Sequence, residues 1–87
     1  MKTIYKYQIT LSGKVDMPVG AKVLHVGEQD GGMFLWAAVD TRSPIRHRQF
    51  TVIGTGTGWD MEEKDCHVSD YVGTVMALGL VWHIFEG

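Results

Sequence analysis

Along residues 3–11 the chain alternates, with Tyr5, Tyr7, Ile9 and Leu11 on one side and Lys6, Gln8 and Thr10 on the other. A period of two marks a half-buried strand, because successive side chains leave a pleated backbone on opposite faces. The same period governs most of the remaining chain and confines it to architectures made of strands. The run Met33-Phe34-Leu35-Trp36-Ala37-Ala38-Val39 goes further, since it has no polar face. A strand apolar on both sides has to be covered on both sides, which predicts a central position in its sheet.

Turn chemistry divides the rest. Ser12-Gly13 reads as a turn, and Met17-Pro18-Val19-Gly20 as a turn or short extended excursion, since Pro18 fixes φ and Gly20 permits positive φ. Residues 22–29, with Val23, Leu24 and Val26, form a strand, and Asp30-Gly31-Gly32 folds it back as a hairpin. Residues 40–46 read as a loop, because Pro44 removes a ladder donor and biases Ser43 toward extended geometry. Residues 49–53 resume a strand, and residues 54–69 are a long break. A short helical turn is predicted over residues 61–65, with Asp60 as N-cap and Glu63 three positions on. Residues 71–78 and 80–85 are two strands meeting at or near Gly79, or one long strand bent there by a bulge. The expected fold is all-β, a single domain over residues 1–87. It is a small antiparallel sandwich or barrel of about six strands with at most one short helical turn.

Composition narrows the partners. A chain of 87 residues has room for one core, and 45% hydrophobic against 21% charged residues is ordinary globular usage. A net charge of −2, from 8 Lys+Arg against 10 Asp+Glu, offers no field to a polyanion, so generic nucleic-acid binding is not expected. Cys66 is alone and makes no internal disulfide, which fits a reducing compartment. Residues 1–11 lack the continuous apolar run of a signal peptide, and no stretch approaches the ~20 apolar residues of a membrane span. The expectation is a cytoplasmic chain without a membrane partner.

The most distinctive local feature is Gly54-Thr55-Gly56-Thr57-Gly58. Alternating glycines let backbone N–H groups converge on an anion, but neither the Lys-Ser/Thr of a phosphate loop nor a dinucleotide-binding glycine spacing is present. A plain strand-to-loop transition explains the same residues. Arg42, Arg46, His47 and Arg48 are the one basic cluster, able to grip a phosphate or an acidic protein patch, or to be a solvated loop. Brought beside Gly54, Gly56, Gly58 and Trp59, Arg42, Arg46 and Arg48 would make a pocket for an anionic, ring-bearing ligand.

The four histidines, His25, His47, His67 and His83, lack paired ligand spacing, so no metal site is expected. Cys66 with a nearby histidine such as His67 and the acidic residues of 60–65 could make a nucleophilic set, but an isolated surface cysteine in a solvated acidic loop is the commoner case, and no enzyme is expected. No catalytic residue and no cofactor is expected. Apolar excess remains, and two solutions cover it. One is a homo-oligomer or partner surface using Trp36, Trp82 and Phe85; the other is a closed barrel that buries them itself.

Lys2-Thr3-Ile4-Tyr5-Lys6-Tyr7, residues 18–24 (PVGAKVL), residues 35–40 (LWAAVD), Gly54-Thr55-Gly56, residues 71–75 (YVGTV) and residues 81–86 (VWHIFE) together resemble a family of small bacteriophage and prophage proteins without assigned activity. The resemblance spans nearly the whole chain and carries over no catalytic residue. It implies a phage accessory protein made in the host cytoplasm. The function expected is non-enzymatic counter-defence, by sequestering a small nucleotide signal or binding a host defence protein. A virion-assembly or structural homo-oligomer is the alternative.

Overall fold

The computed structural model describes residues 1–58 and 70–87. These hold seven strands and no α-helix: β1 (Lys2–Ile9), β2 (Lys14–Pro18), β3 (Lys22–Gln29), β4 (Gly32–Asp40), β5 (Ile45–Gly54), β6 (Tyr71–Ala77) and β7 (Leu80–Glu86). Every ladder is antiparallel. One sheet runs β1-β4-β3 and the other β2-β5-β7-β6. The all-β antiparallel expectation is met. The helical turn expected over residues 61–65 lies outside the described residues. No helix among the described residues is long and apolar enough to cross a membrane.

Two expectations need correction. Of the turn or short extended excursion expected over residues 17–20, the turn forms at Val19-Gly20, closed by Ala21 N to Pro18 O (3.1 Å), while Met17 and Pro18 end a strand, Lys14–Pro18, that raises the count above six. Pro18 is tolerated because β2 is the edge of its sheet, where a missing N–H breaks no second ladder. The loop expected over residues 40–46 shrinks to a tight reversal, with Asp40 ending β4 and Ile45 opening β5. Asp40 makes that turn itself: its carbonyl accepts from Ser43 N (3.0 Å) and its carboxylate from Arg42 N (3.0 Å).

Both hairpins turn on two residues with positive φ, the type I′ geometry that matches strand twist. Asp30 (φ 53°) and Gly31 (φ 83°) join β3 to β4, and Leu78 (φ 56°) and Gly79 (φ 73°) join β6 to β7. β4 is the central strand of its sheet, as its composition demands. Met33, Leu35, Ala37 and Val39 are buried toward the second sheet, while Phe34, Trp36 and Ala38 are half-buried on the outer side.

The core lies between the sheets. Ile9, Val26, Met33 and Leu35 from one meet Met17, Phe50, Val75 and Ile84 from the other. β3 and β6 pack side by side at one flank while remaining in separate sheets, so the architecture is a sandwich. Each of these strands is bulged, β3 between Val23 and His25 and β6 between Tyr71 and Gly73. Gly73 permits the approach, since a Cβ there would run into Val26 Cγ2.

Candidate functional site

The arginines expected to act together do not converge. Arg42 sits in the β4–β5 turn and gives Nε and Nη2 to the Asp40 carboxylate at 3.1 and 3.0 Å. The Arg42 side chain and backbone N–H, helped by the N-terminal ammonium, hold Asp40 down at about 2. Arg48 turns inward from β5 and clamps Glu86 of β7, with Nε and Nη2 each 2.7 Å from a carboxylate oxygen. Its Nη1 donates to the Ala21 carbonyl and lies 3.2 Å from Met17 Sδ. That guanidinium ties β5, β7 and the β2–β3 turn together and leaves little for a ligand. Arg46 is exposed on β5.

Gly54 is eight positions beyond Arg46 on the same strand, about 26 Å away at the rise of an extended chain. Among the described residues the arginines and the glycine segment therefore do not come together as a pocket. The glycine segment opens as a tight turn, Thr57 N to Gly54 O at 3.0 Å, with Gly56 at φ 83°. Gly58 is exposed, and Trp59, Cys66, His67 and the carboxylates of residues 60–65 lie outside the described residues.

Beside that turn, His83 of β7 is held between two hydroxyls. Nε2 is 2.7 Å from Thr55 Oγ1, and Nδ1 is 3.2 Å from Thr74 Oγ1, which is 2.5 Å from the Tyr71 hydroxyl. With both ring nitrogens engaged, His83 is a structural link from β7 to β6 and to the turn that follows β5. Among the described residues no group of three or more His, Cys, Asp or Glu is placed to hold a metal.

The aromatics expected at an interface also separate. Phe85 is buried within the chain, 6% exposed. Trp82 packs against the core and gives Nε1 to the Ala77 carbonyl at 3.0 Å. Trp36 lies on the outer face of β1-β4-β3, while Phe85 leaves β7 on the side away from the inter-sheet core and is covered in a separate cluster with Ile53. Exposed apolar surface gathers instead on the β6–β7 hairpin, where Met76, Leu78 and Leu80 are 75%, 74% and 56% exposed.

The outer face of β1-β4-β3 carries the densest set of binding groups. Register places Lys2, Ile4, Lys6 and Gln8 of β1 beside Asp40, Ala38, Trp36 and Phe34 of β4. On the far side, Lys22, His25 and Gly27 of β3 lie beside Ala38, Trp36 and Phe34. Trp36 thus stands between Lys6 and His25, whose ring centroid is 5.7 Å from that of Trp36. A glycine neighbours each aromatic ring, at ordinary contact distance for Trp36 and at closer than ordinary contact for Phe34. Trp36 Cζ3 passes 3.6 Å from where a Gly27 Cβ would be, and Phe34 Cε2 3.1 Å from the same point at Gly32.

Lys6 Nζ sits 4.9 Å from the Phe34 ring centre and donates to Gln29 Oε1 at 2.7 Å. The one carboxylate in these rows, Asp40, is already paired with Arg42 and the chain amine. The face is therefore basic and aromatic in a chain whose net charge is −2. Sequence reasoning picked out Trp36 alone here, because Lys2, Lys6 and Lys22 become neighbours of the aromatic row only through strand register.

A family model described as "Domain of unknown function (DUF7352)" matches residues 1–87, the full length of the chain. No curated protein and no solved structure matches it.

Proposed function

We propose that this chain, which belongs to the DUF7352 family, is a non-enzymatic binding protein whose ligand is a nucleobase-bearing anion held on the outer face of β1-β4-β3. The observation that carries this is the row of Phe34 and Trp36 on β4, flanked by Lys2 and Lys6 on one side and Lys22 and His25 on the other. Flat aromatic rings stack on bases of any identity, and lysines beside them meet the phosphates. The resemblance to small phage proteins supports a finer reading, an accessory protein of the host cytoplasm that withholds its ligand from a host defence protein.

The test is a thermal-shift and isothermal-titration panel of mononucleotides, cyclic dinucleotides and short oligonucleotides. A response to at least one, weakened by Lys6→Gln with Lys22→Gln, is expected. Silence across the panel from folded protein overturns the reading.

The β6–β7 hairpin favours a second reading, a structural homo-oligomer or protein-binding tip. Leu78 in the turn, with Met76 and Leu80 on opposite faces of the strands it joins, presents apolar side chains to water around the end of this hairpin. Sedimentation of the wild type against Leu78→Asn and Leu80→Ser decides it, since a complex that the substitutions leave intact does not use the tip.

A further inference from the structure

We infer that the ligand of this face is a single strand of nucleic acid that lays two consecutive bases on Phe34 and Trp36. This rests on the reading above and names the ligand class for the same surface. Phe34 and Trp36 are alternate residues of one strand, so their side chains rise from the same side about 7 Å apart. An extended single strand can offer neighbouring bases to two such rings, with its backbone running along the sheet. The lysines are placed to follow that backbone. Lys2 and Lys6 share a side of β1 and Lys22 stands across β4, so the aromatic row has cations on both flanks.

The shape selects a strand over a free nucleotide. A small ligand gains affinity by being enclosed, whereas a sheet face is open on one side. A strand recovers the loss by spanning several rows at once. A duplex does not fit, since its bases are already stacked on each other and a flat face reaches into neither groove. Lys6 holds the place a base would take: its ammonium lies over the Phe34 ring, and Gln29 steadies it. A strand that stacks on Phe34 moves that ammonium aside to a phosphate, exchanging a cation–π contact for an ion pair.

Fluorescence anisotropy with end-labelled octathymidylate tests this on the full chain. Unlabelled octathymidylate, thymidine monophosphate and a self-complementary duplex serve as competitors. The octamer is expected to bind, the mononucleotide to compete at least tenfold more weakly, and the duplex not to compete. Three lysine–phosphate contacts set the slope of log K against log[salt] near −2, at about 0.7 per contact for a single strand. Lys6→Gln with Lys22→Gln reduces it toward about −0.7. Trp36→Leu and Phe34→Leu each weaken binding at least about fivefold, with circular dichroism confirming the fold.

The lysine variants are on exposed positions and keep the test intact should an aromatic variant fail to fold. Arg46→Ala, on the other sheet, leaves binding unchanged. A mononucleotide or duplex that competes as well as the octamer overturns the inference and leaves the proposed function standing. Binding lost in Arg46→Ala and kept in the lysine pair overturns both, because the ligand then sits on the other sheet. Absence of binding by every nucleotide and strand overturns both.

Discussion

Replacing Gly73 with alanine probes how the two sheets meet. A Cβ at Gly73 runs into Val26 Cγ2 of β3. Val26 is 6% exposed, and a β-branched side chain has few rotamers into which to retreat. Gly73 is not among the positive-φ glycines, so alanine is conformationally allowed and the cost is steric. Loss of backbone freedom in the unfolded chain stabilises by about 0.4–1 kcal/mol, while overpacking a fixed core costs about 1–3 kcal/mol. The expected net destabilisation is therefore about 1–2 kcal/mol.

Val26→Ala alone costs about 2 kcal/mol from lost burial and the cavity left behind. In the double variant the new methyl enters the space vacated by valine, so the two losses should fall short of their sum by at least about 1 kcal/mol, within the range seen for touching residues. Urea unfolding followed by circular dichroism, with m compared across all four proteins, measures this. Losses that add to within about 0.5 kcal/mol, the behaviour of independent sites, would refute the close approach of β3 to β6.

Three further outcomes follow from the geometry. Arg48→Met strands the Glu86 carboxylate and the Ala21 carbonyl, and should cost about 2 kcal/mol, a drop in Tm on the order of 10 °C, with Glu86→Gln recovering part of it; a neutral Arg48→Met would show that the clamp adds no stability. Leu78→Asn should stabilise by about 0.5–1 kcal/mol in thermal melts, because asparagine tolerates the left-handed backbone at φ 56° and leucine there is mostly in water. Asp40 has a lower pKa folded than unfolded, so its contribution is present above pH 4 and is lost as pH falls toward about 2. Asp40→Asn should flatten that part of the stability profile in low salt, and equal slopes for both proteins would contradict the assignment.

What the sequence disclosed was local. β1, the β3–β4 reversal at Asp30-Gly31 and the meeting of β6 and β7 at Gly79 are written in alternation and turn residues a few positions apart. β2 escaped because it is five residues long and its last two, Met17 and Pro18, run straight into the turn at Val19-Gly20, so only pairing with β5 marks it as a strand. The site was less legible, since its members meet only through register. Arg48 belongs to Glu86, a partner from a different strand, and no pattern around residue 48 says so. Lys2, Lys6 and Lys22 are unremarkable singly, and the net charge conceals them, because charge counted along a chain ignores which face it lands on. Trp82 and Phe85 look equally available in an apolar run, yet alternate sides of β7 send one to the core and the other to a separate buried cluster.

The interleaving of the strands also sets the order in which the molecule can be made. The β3–β4 and β6–β7 hairpins close locally, but the β1–β4 and β2–β5 ladders join segments far apart in the chain. Distant pairings are slow, because loop entropy is lost before any contact repays it. During synthesis β5 acquires β2 on one side well before β7 emerges to take the other. Until Leu80 and its successors leave the ribosome, the hydrogen-bonding edge of β5 stands open and can recruit a neighbouring nascent chain. A chain lacking the C-terminal hairpin leaves that edge of β5 without its partner, the kind of open edge on which other chains add strands.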